Sequence, residues 1–135
     1  MSQSKQPQIA SLFIEIRWPN GCALGPSDLA LIDMIGKEKS IIGAGRALGV
    51  SYRKCWLTVD MLNRCFDSPV VATFPGRRNW GAEITPFGER LVALYRSLEG
   101  HAVADSKKPL EELSACLNWE FDPKARIAAP ERALI

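Results

Sequence analysis

An α+β fold is predicted by three features of the sequence. Residues 40–66, SIIGAGRALGVSYRKCWLTVDMLNRCF, read as two short helices meeting at a glycine corner. Short β-type runs lie around them, at 11–18, 70–74 and 83–85, and the last two are separated by the turn-rich, doubly basic PGRRNWGA. Helix, strand, basic loop, strand, helix is the pattern of a winged helix-turn-helix. Here it is expected with an N-terminal strand or hairpin and a C-terminal helical dimerisation region.

Residues 1–10 are polar and expected to be flexible. In SLFIEIRW, Leu12, Ile14, Ile16 and Trp18 alternate with Phe13, Glu15 and Arg17, which predicts a half-buried strand. Pro19-Asn20-Gly21 is turn chemistry, so a second extended piece at 22–24 can pair back as a hairpin. Ser27 is the expected N-cap of a helix running to about Lys37, with Asp28 near its positive end and Leu31, Ile32 and Ile35 as its buried stripe. Gly36 and the following Lys-Glu-Lys are expected to release the chain into the next element.

Ser40 caps a short apolar helix that stops at Gly49, where glycine tolerates the positive φ of a helix end. Ser51 caps the next, in which Cys55, Val59, Leu62 and Phe66 recur on one face. At about 100° per residue, Arg53, Leu57 and Arg64 fall opposite, with Lys54 to one side. A helix buried on one side and basic on the other suits the major groove. An ordinary αα-corner with a solvated face has the same pattern, and residues 51–66 alone do not separate the two. Pro69 ends the helix. Thr85 and Pro86 open another at N-cap and first turn, and Phe87, Leu91, Leu94, Tyr95 and Leu98 give it a broad apolar stripe reaching at least to Glu99. A further amphipathic stretch from Pro109 carries Leu110, Leu113 and Leu117. Two such stripes exceed what a small core needs, so a homodimer through this region is expected, with fold-back onto its own domain as the alternative. The expected division is 11–99 for the winged domain, 100–121 for a helical extension and 122–135 for a tail.

The net charge of +2 is unevenly placed. From Ser40 to Trp80 six bases face two acids, a local +4, while the remainder holds eleven bases and thirteen acids. A localised polyanion-binding patch is implied. No signal peptide or membrane-length apolar run occurs, so a cytoplasmic protein without a membrane partner is expected. Cys22, Cys55, Cys65 and Cys116 are widely spaced, with no C-x-x-C pair and one histidine, His101, distant in sequence. No metal site and no cofactor are expected from that spacing. In a reducing compartment Cys55 reads as a small core hydrophobe and the others as structural or idle. A redox switch at Cys65 or Cys116 finds no low-pKa environment in the sequence. No catalytic residue is assigned: His101 lacks a nucleophile or carboxylate partner, and Glu111 and Glu112 look like a solvent face.

ALGPSDLALIDMIGKEKSI, RALGVSYRKCWLTVDMLNRCF, SPVVATF and ITPFGERLVALYRSLE together resemble the amino-terminal DNA-binding domain of ModE-type molybdenum-dependent transcriptional regulators. More distantly they are similar to the winged helix-turn-helix of LysR-type regulators. The resemblance implies that Ser51, Tyr52, Arg53 and Lys54 open the recognition helix. It also places Arg77 and Arg78 at a DNA-contacting wing tip, and the dimer contact on the helix from Pro86. The sequence departs from the family at Gly43 and Gly45, where alanine is usual, and in the wing PGRRNWGA. No room remains after Leu117 for the oxyanion-binding second domain, so molybdate sensing is not expected.

The expected function is therefore a dimeric, sequence-specific DNA-binding transcriptional regulator, acting as a repressor. Lys54, Arg64, Arg77 and Arg78 would contact phosphates; Ser51, Tyr52 and Arg53 would read bases, with Leu57 on the same face. The alternative is a winged-helix protein-interaction module without DNA, in which Trp56 and Trp80 serve as interface anchors. Packing between recognition helix and wing is the preferred reading of those two indoles.

Overall fold

The computed structural model describes residues 10–78 and 80–125. The alternation at 11–18 persists in burial, with its even-numbered apolar residues half-buried and Phe13, Glu15 and Arg17 exposed. A ladder forms over far less than the expected strand. Only Ile16–Arg17 (β1) pairs, antiparallel, with Ala23–Leu24 (β2). The Pro19-Asn20-Gly21 turn closes the hairpin: Trp18 N–H donates to Cys22 O at 2.8 Å and Gly21 N–H to Trp18 O at 3.0 Å. Two-residue strands are marginal on their own. The segment is held instead by Tyr95 Oη, which donates to Ile14 O at 2.7 Å, and by a Cys22–Cys65 disulfide with a Cα separation of 5.8 Å. Of the two readings of these cysteines, structural or idle, the bridge selects the structural one for Cys22 and Cys65; the two stand 43 residues apart, and folding brings them together.

Helix α1, Pro26–Glu38, starts earlier than expected. Its N-cap is Gly25, whose N–H donates to the Asp28 carboxylate at 2.9 Å, and Ser27 lies inside the first turn. Proline at the first helical position loses no hydrogen bond, so the helix can begin there. Gly36 does not end it. The chain turns at Lys39, in the left-handed region at φ 58°. Lys39 is set there by pairing: its carbonyl accepts from Ala82 N–H at 3.0 Å, and Ile41 N–H donates to Trp80 O at 3.1 Å.

Ser40 and Ser51 cap as expected. Ser40 Oγ accepts from Gly43 N–H at 2.7 Å to open α2, Ile41–Leu48, which closes at Gly49 with φ 70°. Ser51 Oγ accepts from Lys54 N–H at 3.1 Å to open α3, Tyr52–Cys65. At Gly45, α2 runs close against Cys55 and Val50. A Cβ there would stand 2.8 Å from Cys55 Sγ and 3.0 Å from Val50 O, so alanine's better helix propensity is outweighed by close packing.

Strands β3, Val71–Phe74, and β4, Gly81–Ile84, form the second antiparallel pair, with Val71 opposite Ile84 and Phe74 opposite Gly81. Asn63 joins α3 to this pair: its Oδ1 accepts from Val70 N–H at 2.8 Å and Val71 N–H at 2.9 Å, and its Nδ2 donates to Val71 O at 2.9 Å. Thr85 Oγ1 accepts from Gly88 N–H at 2.9 Å and starts α4, Pro86–Asp105, which outruns the expected minimum at Glu99. The core of the unit Ser11–Ser106 lies where α1, α2, α3, β3 and α4 meet, around Ile35, Ile41, Cys55, Leu62, Val71 and Tyr95. This α+β order, three helices, a strand pair and a long helix, is compatible with a winged arrangement.

Beyond Ser106 a second unit contains α5, Lys107–Ser114, in which no residue is buried. Leu113, Leu117, Trp119 and Phe121 are all more than half exposed. Residues 1–9 and 126–135, which hold most of the expected flexible terminus and tail, lie outside the described residues.

Candidate nucleic-acid interface

Three core side chains on one side of α3, Cys55, Val59 and Leu62, fix which side faces out. Tyr52, Arg53, Lys54, Leu57 and Arg64 are all exposed, with Arg53, Leu57 and Arg64 on the side opposite that core. Ser51 is exposed as well, its Oγ engaged at the helix start. Arg53 and Lys54 stand in the first turn of α3. Arg64, in the last turn, pairs with Asp60 at 3.1 Å.

The β3–β4 loop carries the other two expected cations. Arg77 donates to Glu83 at 3.0 Å and lies 3.8 Å over the Phe74 ring; Arg78 is exposed. Sequence reasoning missed both acidic partners, although Asp60 at i−4 from Arg64 was there to be read. Both pairs have well-exposed side chains, so each contributes about 0–1 kcal/mol and can be exchanged for a phosphate. Asn79 lies outside the described residues.

Loop and helix meet through two indoles. Trp80 packs edge-on against Trp56 with ring centroids 5.0 Å apart, and Tyr52 meets Trp56 edge-on at 6.2 Å. Both tryptophans are half-buried, in accord with a packing role. Trp80 adopts a left-handed backbone at φ 55°, uncommon for a bulky residue and held by its carbonyl bond to Ile41 and by this ring contact. Trp56 Nε1 is buried with no hydrogen-bond partner among the described residues. Asn63, whose role no local pattern announced, fixes the end of α3 to β3.

The five residues expected at a dimer contact divide in two. Leu91 and Tyr95 are buried in the core; Phe87 is half-buried, and Leu94 and Leu98 are 51% and 52% exposed. The exposed members face an apolar groove of about 320 Å³, whose opposite wall is Ile16, Trp18 and Phe66. Burial raises the Cys55 thiol above its ordinary pKa, which makes it an inert core group. His101 Nδ1 lies 2.7 Å from Ser97 O on the exposed side of α4, and Glu111 and Glu112 are exposed. Among the described residues no group of three or more His, Cys, Asp or Glu could hold a metal ion, and no helix is long and apolar enough to cross a membrane.

No family model matches the chain. Among curated proteins, it is 39% identical over 80 residues to the molybdenum-pterin-binding protein MopB of Rhodobacter capsulatus, covering 58% of this chain and 30% of that protein. It is 34% identical over 99 residues to the molybdenum transport protein ModE of Azotobacter vinelandii, covering 73% and 35%. It is 25% identical over 116 residues to the transcriptional regulator ModE of Yersinia pestis, covering 81% and 44%. The chain spans about a third of the length of the first two relatives and under half of the last.

Proposed function

We take this chain as ModE-type, the relationship its shared sequence carries, and propose that it is a transcriptional regulator that binds double-stranded DNA as a homodimer. The observation that supports this reading best is the exposed face of α3. A helix capped by Ser51 and seated on Cys55, Val59 and Leu62 turns Arg53 and Lys54 outward, and the Trp56–Trp80 contact sets an arginine-bearing hairpin against it. In this winged helix-turn-helix, α3 enters the major groove. Ser51, Tyr52 and Arg53 address base edges, and Leu57 can meet a thymine methyl. Lys54, Arg64, Arg77 and Arg78 address phosphates, the last two from the wing. The dimer forms through the apolar groove along α4, over Phe87, Leu94 and Leu98, and the regulator acts as a repressor by occupying its operator.

Selection of bound duplexes from a random pool at near-physiological salt tests the proposal. A two-fold symmetric motif is expected, with half-sites about 10 base pairs apart. A pool that shows no enrichment sinks the reading. Arg77→Ala should weaken binding to all duplexes alike and lower the steepness of the salt dependence by about one unit, because a phosphate contact carries no sequence information. Sequence-selective loss in that variant would move Arg77 from phosphate to base.

A protein-interaction module is favoured by one specific observation: Tyr52 and Leu57, both apolar and large, are 51% and 53% exposed on α3. A stable complex with a protein through that face, without retention on DNA or heparin, would establish it.

A further inference from the structure

We infer that Cys22 and Cys65 form a reversible thiol–disulfide site whose state controls the order of the β1–β2 hairpin. The bridge joins the residue just before the second strand of that hairpin to the last residue of α3. It is reachable. A cleft of about 360 Å³ lined by Trp18, Pro19, Asn20, Cys22, Cys65 and Phe66 opens onto it, and both cysteines are only half-buried. A small dithiol can therefore approach either sulfur.

The exchange balances without further reactants. One thiolate of the dithiol attacks a bridge sulfur, breaking the Cys22–Cys65 bond and forming a mixed disulfide; the second thiolate displaces it. Two electrons pass to the protein, two protons complete its thiols, and the dithiol leaves as its own disulfide. An oxidised dithiol runs the reaction backwards.

Unequal anchoring decides which side of the bridge responds. The end of α3 keeps its attachment without the disulfide, through three hydrogen bonds that the Asn63 side chain makes with the backbone of Val70 and Val71 and through buried Leu62. The hairpin has two paired residues per strand, the Tyr95–Ile14 hydrogen bond, an edge contact of Trp18 with Phe66 at 5.7 Å, and Leu24. Reduction therefore loosens residues 16–24 and leaves the proposed DNA-reading helix in place. Because Ile16 and Trp18 form one wall of the apolar groove along α4, loosening also weakens self-association. That last consequence rests on the dimer proposed above.

The test uses the full chain with Cys116→Ser, which leaves Cys55 as the sole unbridged thiol beside the pair. Alkylation in denaturant should label one cysteine after treatment with oxidised dithiothreitol and three after the reduced form. Amide exchange in peptides covering 14–24 should rise about tenfold or more on reduction, with α3 unchanged, and Cys22→Ser/Cys65→Ser should show the fast rate under both conditions. Failure of the pair to oxidise, an unchanged hairpin, or loss of protection in α3 would each overturn the inference. Sedimentation read in parallel separates the two proposals: a monomer in both states, with the exchange response intact, counts against the dimer and leaves the switch standing.

Discussion

Gly88→Ala should lower the melting temperature of the domain by about 10 °C, an effect of about 2 kcal/mol, measured by far-ultraviolet circular dichroism. Gly88 lies in the first turn of α4 and is buried, so the helix sits almost directly on the backbone that follows α3. A methyl group there would collide with the carbonyl oxygen of Val70 and stand 2.7 Å from Ile84 Cγ2. A carbonyl in the chain cannot rotate aside as a side-chain end can, and Val70 O also accepts from Thr85 N–H at 3.0 Å. The about 1 kcal/mol gained from alanine's helix propensity is smaller than that clash. Gly100 is the control. It lies in the same helix, and nothing stands within 4 Å of the Cβ position, so Gly100→Ala should stabilise by about 1 kcal/mol at most. If both variants melt alike, the close approach of α4 to Val70 is not present in solution.

Arg53→Ala should relax the preference for one base pair of the selected operator by about 5- to 150-fold, the equivalent of a lost bidentate contact, with preferences elsewhere retained. The side chain is exposed in the first turn of α3, where a groove-inserted helix presents its residues to base edges. Arg53→Lys makes the result specific. Lysine keeps the charge and loses the planar fork, so overall affinity should recover in part while discrimination at that base pair does not. Full recovery of both would assign Arg53 to phosphate, and no change in either variant would remove α3 from the interface. Binding measured by fluorescence anisotropy on the operator and its single-base variants distinguishes these outcomes.

The helix starts at Ser40, Ser51 and Thr85-Pro86, the stop at Gly49 and the outward face of α3 were legible because each depends on residues within a turn or two of one another. A hydroxyl three residues before an amide, or apolar groups at helical spacing, is a relation the chain carries locally. Ser27 shows the limit of this. It has the right chemistry for a cap, yet Gly25 and Asp28 take the role because Pro26 can be the first helical residue. The strand at 11–18 kept its alternation and lost most of its ladder, since pairing needs a partner and only two residues of the returning segment supply one. The Arg77–Glu83 pair, the Asn63 bracket and the Lys39–Ala82 pairing join residues whose proximity no single element implies.

What the linear order of residues determined by itself was the succession of elements, their caps and the side of α3 that carries Arg53 and Lys54. These follow from short-range hydrogen bonding and from the periodicity with which apolar groups recur. Tertiary structure alone decided that Cys22 meets Cys65, and that Leu91 and Tyr95 enter the core while Leu94 and Leu98 remain on the surface. Both depend on how elements distant in sequence pack against one another. A stripe of apolar residues is wider than the surface any one neighbour can cover, and only the packed arrangement of the other elements fixes which part is buried and which stays exposed.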